Sequence, residues 1–226
     1  MDAVRERIVP VIWPMAYVFQ PIIDVHEGAV AGYEALMRPE GHSPEAFIKK
    51  HYEKLHDLEV MTFFQAIREF MMRRLPERLF VNSFPCESLS DIEFDLLEDT
   101  FGSAMMKRLV IELLEYPKYD LAAWEKKRSF IKKNKIMLAI DDFGAGGNDV
   151  NTLFLFNPDI VKLDRKLIRG IDQDPVRQYL MKIVVDLIRD QGIQVLAEGV
   201  ESKGEVELMA RMHVDYMQGF FVGMPF

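Results

Sequence analysis

Eight short apolar, β-branched or aromatic runs recur along this chain, and stretches with helical spacing separate most of them. The runs are "AYVFQPII" (16–23), "AVAGYEALM" (29–37), "RLFVNSF" (78–84), "RLVIELL" (108–114), "IMLAIDDF" (136–143), "DIVKLD" (159–164), "IQVLAEGV" (193–200) and "DYMQGFFVG" (215–223). Between them, helices are predicted over 44–74, as one or two segments, and near 88–105, 118–134, 173–191 and 203–212. Strands alternating with helices build βαβ units and a mostly parallel sheet, and eight strands in 226 residues predict an α/β fold, a TIM (β/α)8 barrel. One junction breaks the rule. Only "VHEG" (25–28) separates "FQPIID" from "AVAGYEAL", too short for the crossover that parallel neighbours require. The first two strands are therefore expected to form an N-terminal antiparallel hairpin, which makes this a modified barrel with one antiparallel strand.

No repeat, low-complexity segment or long Pro/Gly/Ser linker interrupts the chain, so residues 1–226 read as a single domain. The clearest helix is "DPVRQYLMKIVVDLIRDQG", with Asp174 and Pro175 at its start and Gly192 as its stop. Val176, Leu180, Ile183, Val184, Leu187 and Ile188 fall on one face, which is expected to pack on the barrel.

A barrel strand buried on both faces should be apolar throughout, yet nearly every run contains an ionisable or amide residue. Glu34 is followed by Arg38, the third run carries Asn82, and Glu112, the doublet Asp141–Asp142, Lys162 with Asp164, Glu198 and Gln218 come next. Each alone has an ordinary explanation: Glu34 as a rim charge, Asn82 in a turn, Lys162 in a structural ion pair with Asp141. Together they point elsewhere, because active sites of such barrels are built at the C-terminal ends of several strands and unpaired buried charges are costly.

So many carboxylates in one mouth repel one another unless cations neutralise them. Oxygen-rich sites without His or Cys suit hard divalent ions, Mg²⁺ or Mn²⁺. On an extended strand end, Asp141 and Asp142 point in different directions, so one can bridge two ions while the other reaches one ion or a water. Two metals suggest in-line displacement at a phosphorus centre. Gly144, Gly146 and Gly147 then read as a flexible loop after the doublet.

Other chemistries fit less well. "HYEKLH" (51–56) lacks the HExxH spacing of a helical zinc site, and His26, His42 and His213 read as surface or turn residues. "DFG" (142–144) has no glycine-rich loop, strand lysine or HRD-type segment to make it a kinase motif. The net charge of −8, from 28 basic and 36 acidic side chains, argues against a polymeric nucleic-acid partner but leaves a small anionic ligand open where metals supply positive charge. Cys86 is the only cysteine, so no internal disulfide can form, and a buried apolar thiol is favoured over a nucleophile. The apolar stretch 8–23 contains Pro10, Pro14, Gln20 and Pro21 and falls short of the roughly 20 residues of a membrane span. No membrane segment or signal is expected, and the cytosol (a cytoplasmic location) is the expected compartment.

These motifs resemble the EAL-domain family of cyclic di-GMP phosphodiesterases over almost the whole chain. "EALMR" (34–38) follows "FQPIID", and "FVNSF", "IELLE", "IDDFGAG", "VKLDR", "LAEGVES" and "DYMQGFF" come in the family's order. The resemblance implies Mg²⁺- or Mn²⁺-dependent hydrolysis of cyclic di-GMP to linear pGpG, with two divalent cations and with Ca²⁺ as an inhibitory occupant. Glu34, Asn82, Glu112 and Asp141 match ligands of one metal, and Asp141 bridges to a second ion beside Asp142 and Glu198. Lys162 matches the lysine that orients the attacking water, so Lys162, Glu198 and Asp142 stand nearest the chemistry. Arg38 matches a phosphate contact and Gln20 a guanine contact, while Asp164, Glu201 and Gln218 match further polar residues of the pocket.

Glu115 matches the residue that holds the loop after the doublet, and a homodimer is the implied assembly. The loop itself departs from the family: where Thr, Tyr and Ser-Ser are common, this chain reads "AGGNDVNTL" (145–153), with Ala145, Gly147, Asn148 and Asp149. Two other classes of function remain open on the sequence. One is a receptor that binds cyclic di-GMP without hydrolysing it, and the other a scaffold that binds no nucleotide.

Overall fold

The short junction after the first run becomes a turn. A computed structural model describes residues 15–116, 120–144, 146, 148 and 150–226. In it β1 (Met15–Asp24) and β2 (Val30–Pro39) pair antiparallel with Gln20 opposite Glu34. Asp24 builds the turn: its carboxylate accepts the backbone N–H of His26 at 2.8 Å and of Glu27 at 3.0 Å, and Gly28 takes a φ of +62°.

The parallel strands follow as β3 (Arg78–Ser83), β4 (Leu109–Leu113), β5 (Met137–Phe143), β6 (Ile160–Leu163), β7 (Gln194–Ala197) and β8 (Tyr216–Met217). They form a closed barrel in sequence order. Ile23 and Asp24 of β1 pair antiparallel with Met217 and Tyr216, so β1 is the reversed strand against both neighbours. The expected modified (β/α)8 barrel is the observed fold.

The helices are α1 (Pro44–Lys50), α2 (Leu55–Met72), α3 (Asp91–Met106), α4 (Leu121–Asn134), α5 (Val150–Phe156), α6 (Arg165–Ile168), α7 (Pro175–Asp190) and α8 (Lys203–Arg211). Tyr52–Lys54 and Ile171–Gln173 form single 3-10 turns. The short α5 and α6 and both 3-10 turns escape the sequence reading because a one- or two-turn segment shows too little periodicity. The last run overshoots in the other direction. Of 215–223 only Tyr216–Met217 pairs as strand, because Gly219 turns the chain against Val200. The start of the stretch 8–23, residues 118–119 of the helix expected from 118, and Ala145, Gly147 and Asp149 lie outside the described residues.

The clearest helix keeps its boundaries, and its inward face overlaps the expected one only at Val184 and Ile188. Asp174 caps it by accepting from Val176 and Arg177, both at 3.1 Å, and Gly192 follows its end at a φ of +76°. Met181, Val185 and Ile188 are buried against the barrel, whereas Val176, Leu180, Ile183 and Leu187 are exposed. The segment is apolar on two sides, so periodicity alone cannot choose between the stripes.

Strand alternation sorts the barrel into layers. Leu79, Val81, Ile111, Leu138 and Ile140 point outward into one core beneath α2, α3 and α4, and Val161, Leu163, Val195 and Ala197 into a second core beneath α7 and α8. Ile22, Phe80, Val110, Ala139, Ile160, Leu196 and Tyr216 point inward and fill the barrel. The corresponding residue of β2 is Gly32, where a Cβ would lie 2.8 Å from the Phe80 ring. Glycine there makes room for the phenylalanine. Cys86 is partly rather than fully buried, and burial pushes its thiol up, away from a nucleophile. Among the described residues no helix is long and apolar enough to cross a membrane.

Candidate functional site

Two residues beyond the inward apolar layer, every strand points a polar side chain into the barrel. These are Gln20, which precedes Ile22 on the reversed β1, then Glu34, Asn82, Glu112, Asp141, Lys162, Glu198 and Gln218. The period of two that fills the barrel below thus builds the site above.

Lys162 is 1% exposed and sits at the centre. Its Nζ lies 2.6 Å from Glu198 Oε1, 2.8 Å from Glu112 Oε1, 2.8 Å from Asp141 Oδ1 and 3.7 Å from Glu34 Oε2. Amides complete the ring. Gln218 donates to Glu34 Oε2 at 2.6 Å and to Gln20 Oε1 at 3.3 Å, and Asn82 Nδ2 donates to Glu34 Oε1 at 3.2 Å. Gln20 in turn donates to the carbonyl of Gly223 at 3.2 Å.

Four carboxylates therefore face one ammonium. Buried Asn82 Oδ1, Glu112 Oε2 and Gln218 Oε1 accept no hydrogen bond among the described residues. Burial drives the carboxyls of Glu112 and Glu198 well above the usual range, and their acidic neighbours add to this while Lys162 opposes it. Burial lowers the Lys162 ammonium, but Asp141, Glu112, Glu198 and Glu34 outweigh it and hold the group charged.

The doublet is not a regular strand end. The pairing of β5 with β6 shifts between Ile140 and Phe143, and Asp142 adopts a left-handed φ of +49°. Instead of diverging, the two side chains converge: oxygens of Asp141, Asp142 and Glu198 all lie within 4.8 Å of one another. Burial, the charge of Asp141 and a hydrogen bond with Asp164 push the Asp142 carboxyl up to about 7. Asn148 holds the bulge from the following loop, donating to the Asp141 carbonyl at 2.5 Å while its own carbonyl accepts Gly144 N at 3.1 Å.

The outer residues are less tightly gathered. Asp164 is buried and accepts the backbone N–H of Lys166 at 2.6 Å, capping α6. Glu201 pairs with Arg165 at 3.1 Å on the rim. Arg38 is exposed, with its Nη1 on the Met37 carbonyl at 2.9 Å. Glu115 lies against the loop, with Oε1 2.8 Å from where a Cβ of Gly146 would stand.

Two cavities open from the ring and share Glu34 and Asp141. The smaller, ≈ 230 Å³, adds Gln20, Glu201, Gln218, Arg165 and Phe220. The larger, ≈ 760 Å³, is bordered by Arg38, Asn82, Asp142, Tyr52, Phe84 and Tyr116. Arg165, Phe220, Tyr52 and Tyr116 were not singled out in the sequence. They come from helix starts, turns and loops, where no periodic signal marks an inward side chain. Only the position of Tyr116 directly after Glu115 hints at it.

The donor set is all oxygen, three buried acceptors are unmatched, and negative charge is in excess. Residues of this kind fit hard divalent cations.

Comparison with known proteins agrees with this geometry. The EAL domain model matches residues 14–225. The chain is 25% identical over 221 residues to the probable cyclic di-GMP phosphodiesterase PdeG of Escherichia coli K12, covering 92% of this chain and 44% of PdeG. The chain thus spans less than half the length of that curated relative. A standalone EAL protein from Vibrio cholerae O395, solved with c-di-GMP bound, superimposes with a TM-score of 0.83 at 29% identity, covering 93% of this chain and 92% of the other. Klebsiella pneumoniae BlrP1, in a manganese and cyclic di-GMP complex, gives a TM-score of 0.79 at 27% identity over 94% of this chain and 56% of its own. With its barrel, its inward ring and a family match running from Pro14 to Met224 and one residue beyond, the chain belongs to the EAL domain family.

Proposed function

We propose that this chain is a metal-dependent phosphodiesterase that hydrolyses one phosphodiester bond of cyclic di-GMP and releases linear pGpG. One observation carries this reading: the inward ring holds four carboxylates around one ammonium, with buried acceptors left unmatched. Glu34, Asn82, Glu112 and Asp141 would hold one Mg²⁺ or Mn²⁺, and Asp141, Asp142 and Glu198 a second. When bound, the cations supply Lewis acidity at the phosphate and lower the pKa of a coordinated water.

The chain's own groups do the rest. The Lys162 ammonium orients the attacking water and offsets charge that grows on the phosphate. Asp142, with oxygens of Asp141 and Glu198 within 4.8 Å, stands with them nearest the chemistry. Arg38 offers a phosphate two parallel hydrogen bonds, and Gln20 meets a guanine edge. Asp164, Glu201 and Gln218 complete the polar wall, and Glu115 anchors the loop after the doublet. Residues 1–226 act as one such domain.

The test is incubation of the purified chain with cyclic di-GMP and Mg²⁺ or Mn²⁺, with pGpG as the expected product and Ca²⁺ filling the sites without turnover. Absence of turnover by folded protein that binds the ligand would overturn the reading. The departing loop 145–153 favours one second reading, a receptor that binds cyclic di-GMP and relays the signal. Glu34→Ala separates the two: an enzyme loses hydrolysis, whereas a metal-independent receptor keeps its affinity.

A homodimer is part of the proposal, supported by the exposed stripe Val176, Tyr179, Leu180, Ile183 and Leu187 on α7. Leu180→Lys is expected to shift the mass measured by light scattering from dimer to monomer. A mass unchanged by that substitution would count against this face.

A further inference from the structure

The larger cavity is unlike the ring it opens from. Glu34, Asn82, Asp141 and Asp142 form its polar edge, while Leu36, Met37, Ile48 and Phe84 line it with apolar surface. Two tyrosines complete the wall. Tyr52 stands in the 3-10 turn between α1 and α2 and is 46% exposed. Tyr116 follows β4 and is fixed edge-on against Phe84, at 5.4 Å and 71°. The two tyrosine rings are nearly parallel, 18° apart, with centroids separated by 6.5 Å.

Near-parallel rings beside an acidic centre suit a flat heteroaromatic group, since every nucleobase has a π-face that stacks on tyrosine. A ligand with its phosphate at Glu34 and Asp141 enters both cavities, because both share those residues. A cyclic dinucleotide carries two bases, and the smaller cavity has room for contacts with one through Gln20 and Phe220.

We propose that Tyr52 and Tyr116 form a stacking face for the second purine base of the dinucleotide, and that they set the preference of this site for a ligand carrying two bases. This rests on the cyclic di-GMP reading above. Both residues lie outside the inward ring, so they act on substrate affinity and leave the bond-breaking groups in place.

The experiment measures binding in Ca²⁺, without turnover, of cyclic di-GMP and of an analogue with one guanine replaced by 2-aminopurine, whose fluorescence is quenched on stacking. Wild type should bind both and quench the probe. Tyr52→Ala should weaken cyclic di-GMP binding about ten-fold and reduce the quench, with KM in the Mg²⁺ or Mn²⁺ assay rising by a similar factor at unchanged kcat. Tyr52→Phe should restore wild-type behaviour, since stacking needs the ring and not the hydroxyl. Tyr116→Ala should act like Tyr52→Ala, and because Tyr52 is exposed its variant decides the matter even if Tyr116→Ala does not fold. If wild type binds cyclic di-GMP and Tyr52→Ala binds it equally with an undiminished quench, the stacking face is overturned and the phosphodiesterase reading stands. If folded wild type binds no cyclic di-GMP, both fall.

Discussion

Two lysines are buried to the same degree in this protein, Lys127 and Lys162, each 1% exposed, and their surroundings are opposite. Lys127 on α4 meets one carboxylate, Glu59 on α2, at 2.9 Å. Its other contacts are the Phe84 carbonyl at 2.7 Å and the Ser83 hydroxyl. Glu59 is equally satisfied, accepting from Ser83 Oγ at 2.6 Å and from Phe84 N at 3.0 Å. Charge is matched one to one, and the pair is closed. Lys162 instead faces four carboxylates, with acceptors around it unmatched. Both lysines bear the desolvation cost of burial, so the difference lies in what their partners leave over. A closed pair holds two helices to a strand, whereas the open cluster leaves carboxyl groups in excess of its one ammonium.

Breaking the open cluster should have the largest effect. Lys162→Met is expected to lower kcat by about 10²–10⁴-fold in steady-state assays with Mn²⁺, the usual range for losing a positioned proton-handling or charge-stabilising group. The fold should survive when divalent cations are present, because they neutralise the same carboxylates. Loss of the fold even at saturating Mn²⁺ would mean that Lys162 is architectural and that the contrast with Lys127 fails.

Breaking the closed pair should act on stability. Lys127→Met strands Glu59 in the core and is expected to cost about 3–5 kcal/mol in urea unfolding. Replacing Glu59 by Leu in the same chain should recover most of that loss, since an apolar pair can substitute for a buried ion pair. Catalysis per folded molecule should hardly change in either variant. A large fall in kcat would make this pair part of the site.

Titration distinguishes the two further. Glu112 and Glu198 are held well above their ordinary values and Asp142 rises to about 7, so the folded, metal-free protein keeps protons that the unfolded chain has released. Where the folded state binds more protons, stability falls as pH rises. For Asp142 that window runs from its ordinary value of 3.8 to about 7, and for the two glutamates it extends well above 4.5. Lys162, raised well above 10.5, adds its own loss only beyond that value. Metal-free melting temperature should therefore drop by several degrees between pH 5 and pH 8. At pH 8, Mn²⁺ at a hundred times its Kd should restore about 3 kcal/mol, roughly 5–10 °C for a chain of this length. A melting temperature indifferent to both pH and Mn²⁺ would show that the ring binds no cation.

The open cluster was legible in the sequence and the closed pair was not. Glu34, Asn82, Glu112, Asp141, Lys162 and Glu198 stand out because they interrupt apolar strand runs, where a polar residue breaks an expected pattern. Lys127 sits among Lys126, Arg128, Lys132 and Lys133 on a helix whose outer face is cationic, so nothing local separates the one buried lysine from its exposed neighbours. Only the approach of α2 selects it. The same limit explains α7, where two apolar stripes compete, and Tyr52 and Tyr116, which meet from distant segments. The bulge at Asp142 was hidden for a different reason: a shift in register depends on how β6 pairs, not on the residues "IDDF" themselves.

Strand β3 joins the two lysines and gives the smallest and sharpest test. By alternation Asn82 points inward to Glu34 and the open cluster, while Ser83 points outward to Lys127 and Glu59. Ser83→Ala removes one hydroxyl from the closed pair and is expected to cost about 1–2 kcal/mol, since Lys127 and Glu59 still meet directly. Mn²⁺ affinity, read from the melting temperature as a function of metal concentration, should stay at the wild-type value. If affinity shifts, the backbone between Ser83 and Asn82 couples the closed pair to the inward ring, and the double variant Ser83→Ala with Asn82→Ala would then deviate from additivity. Additive effects would leave β3 as a wall, carrying architecture on one face and chemistry on the other.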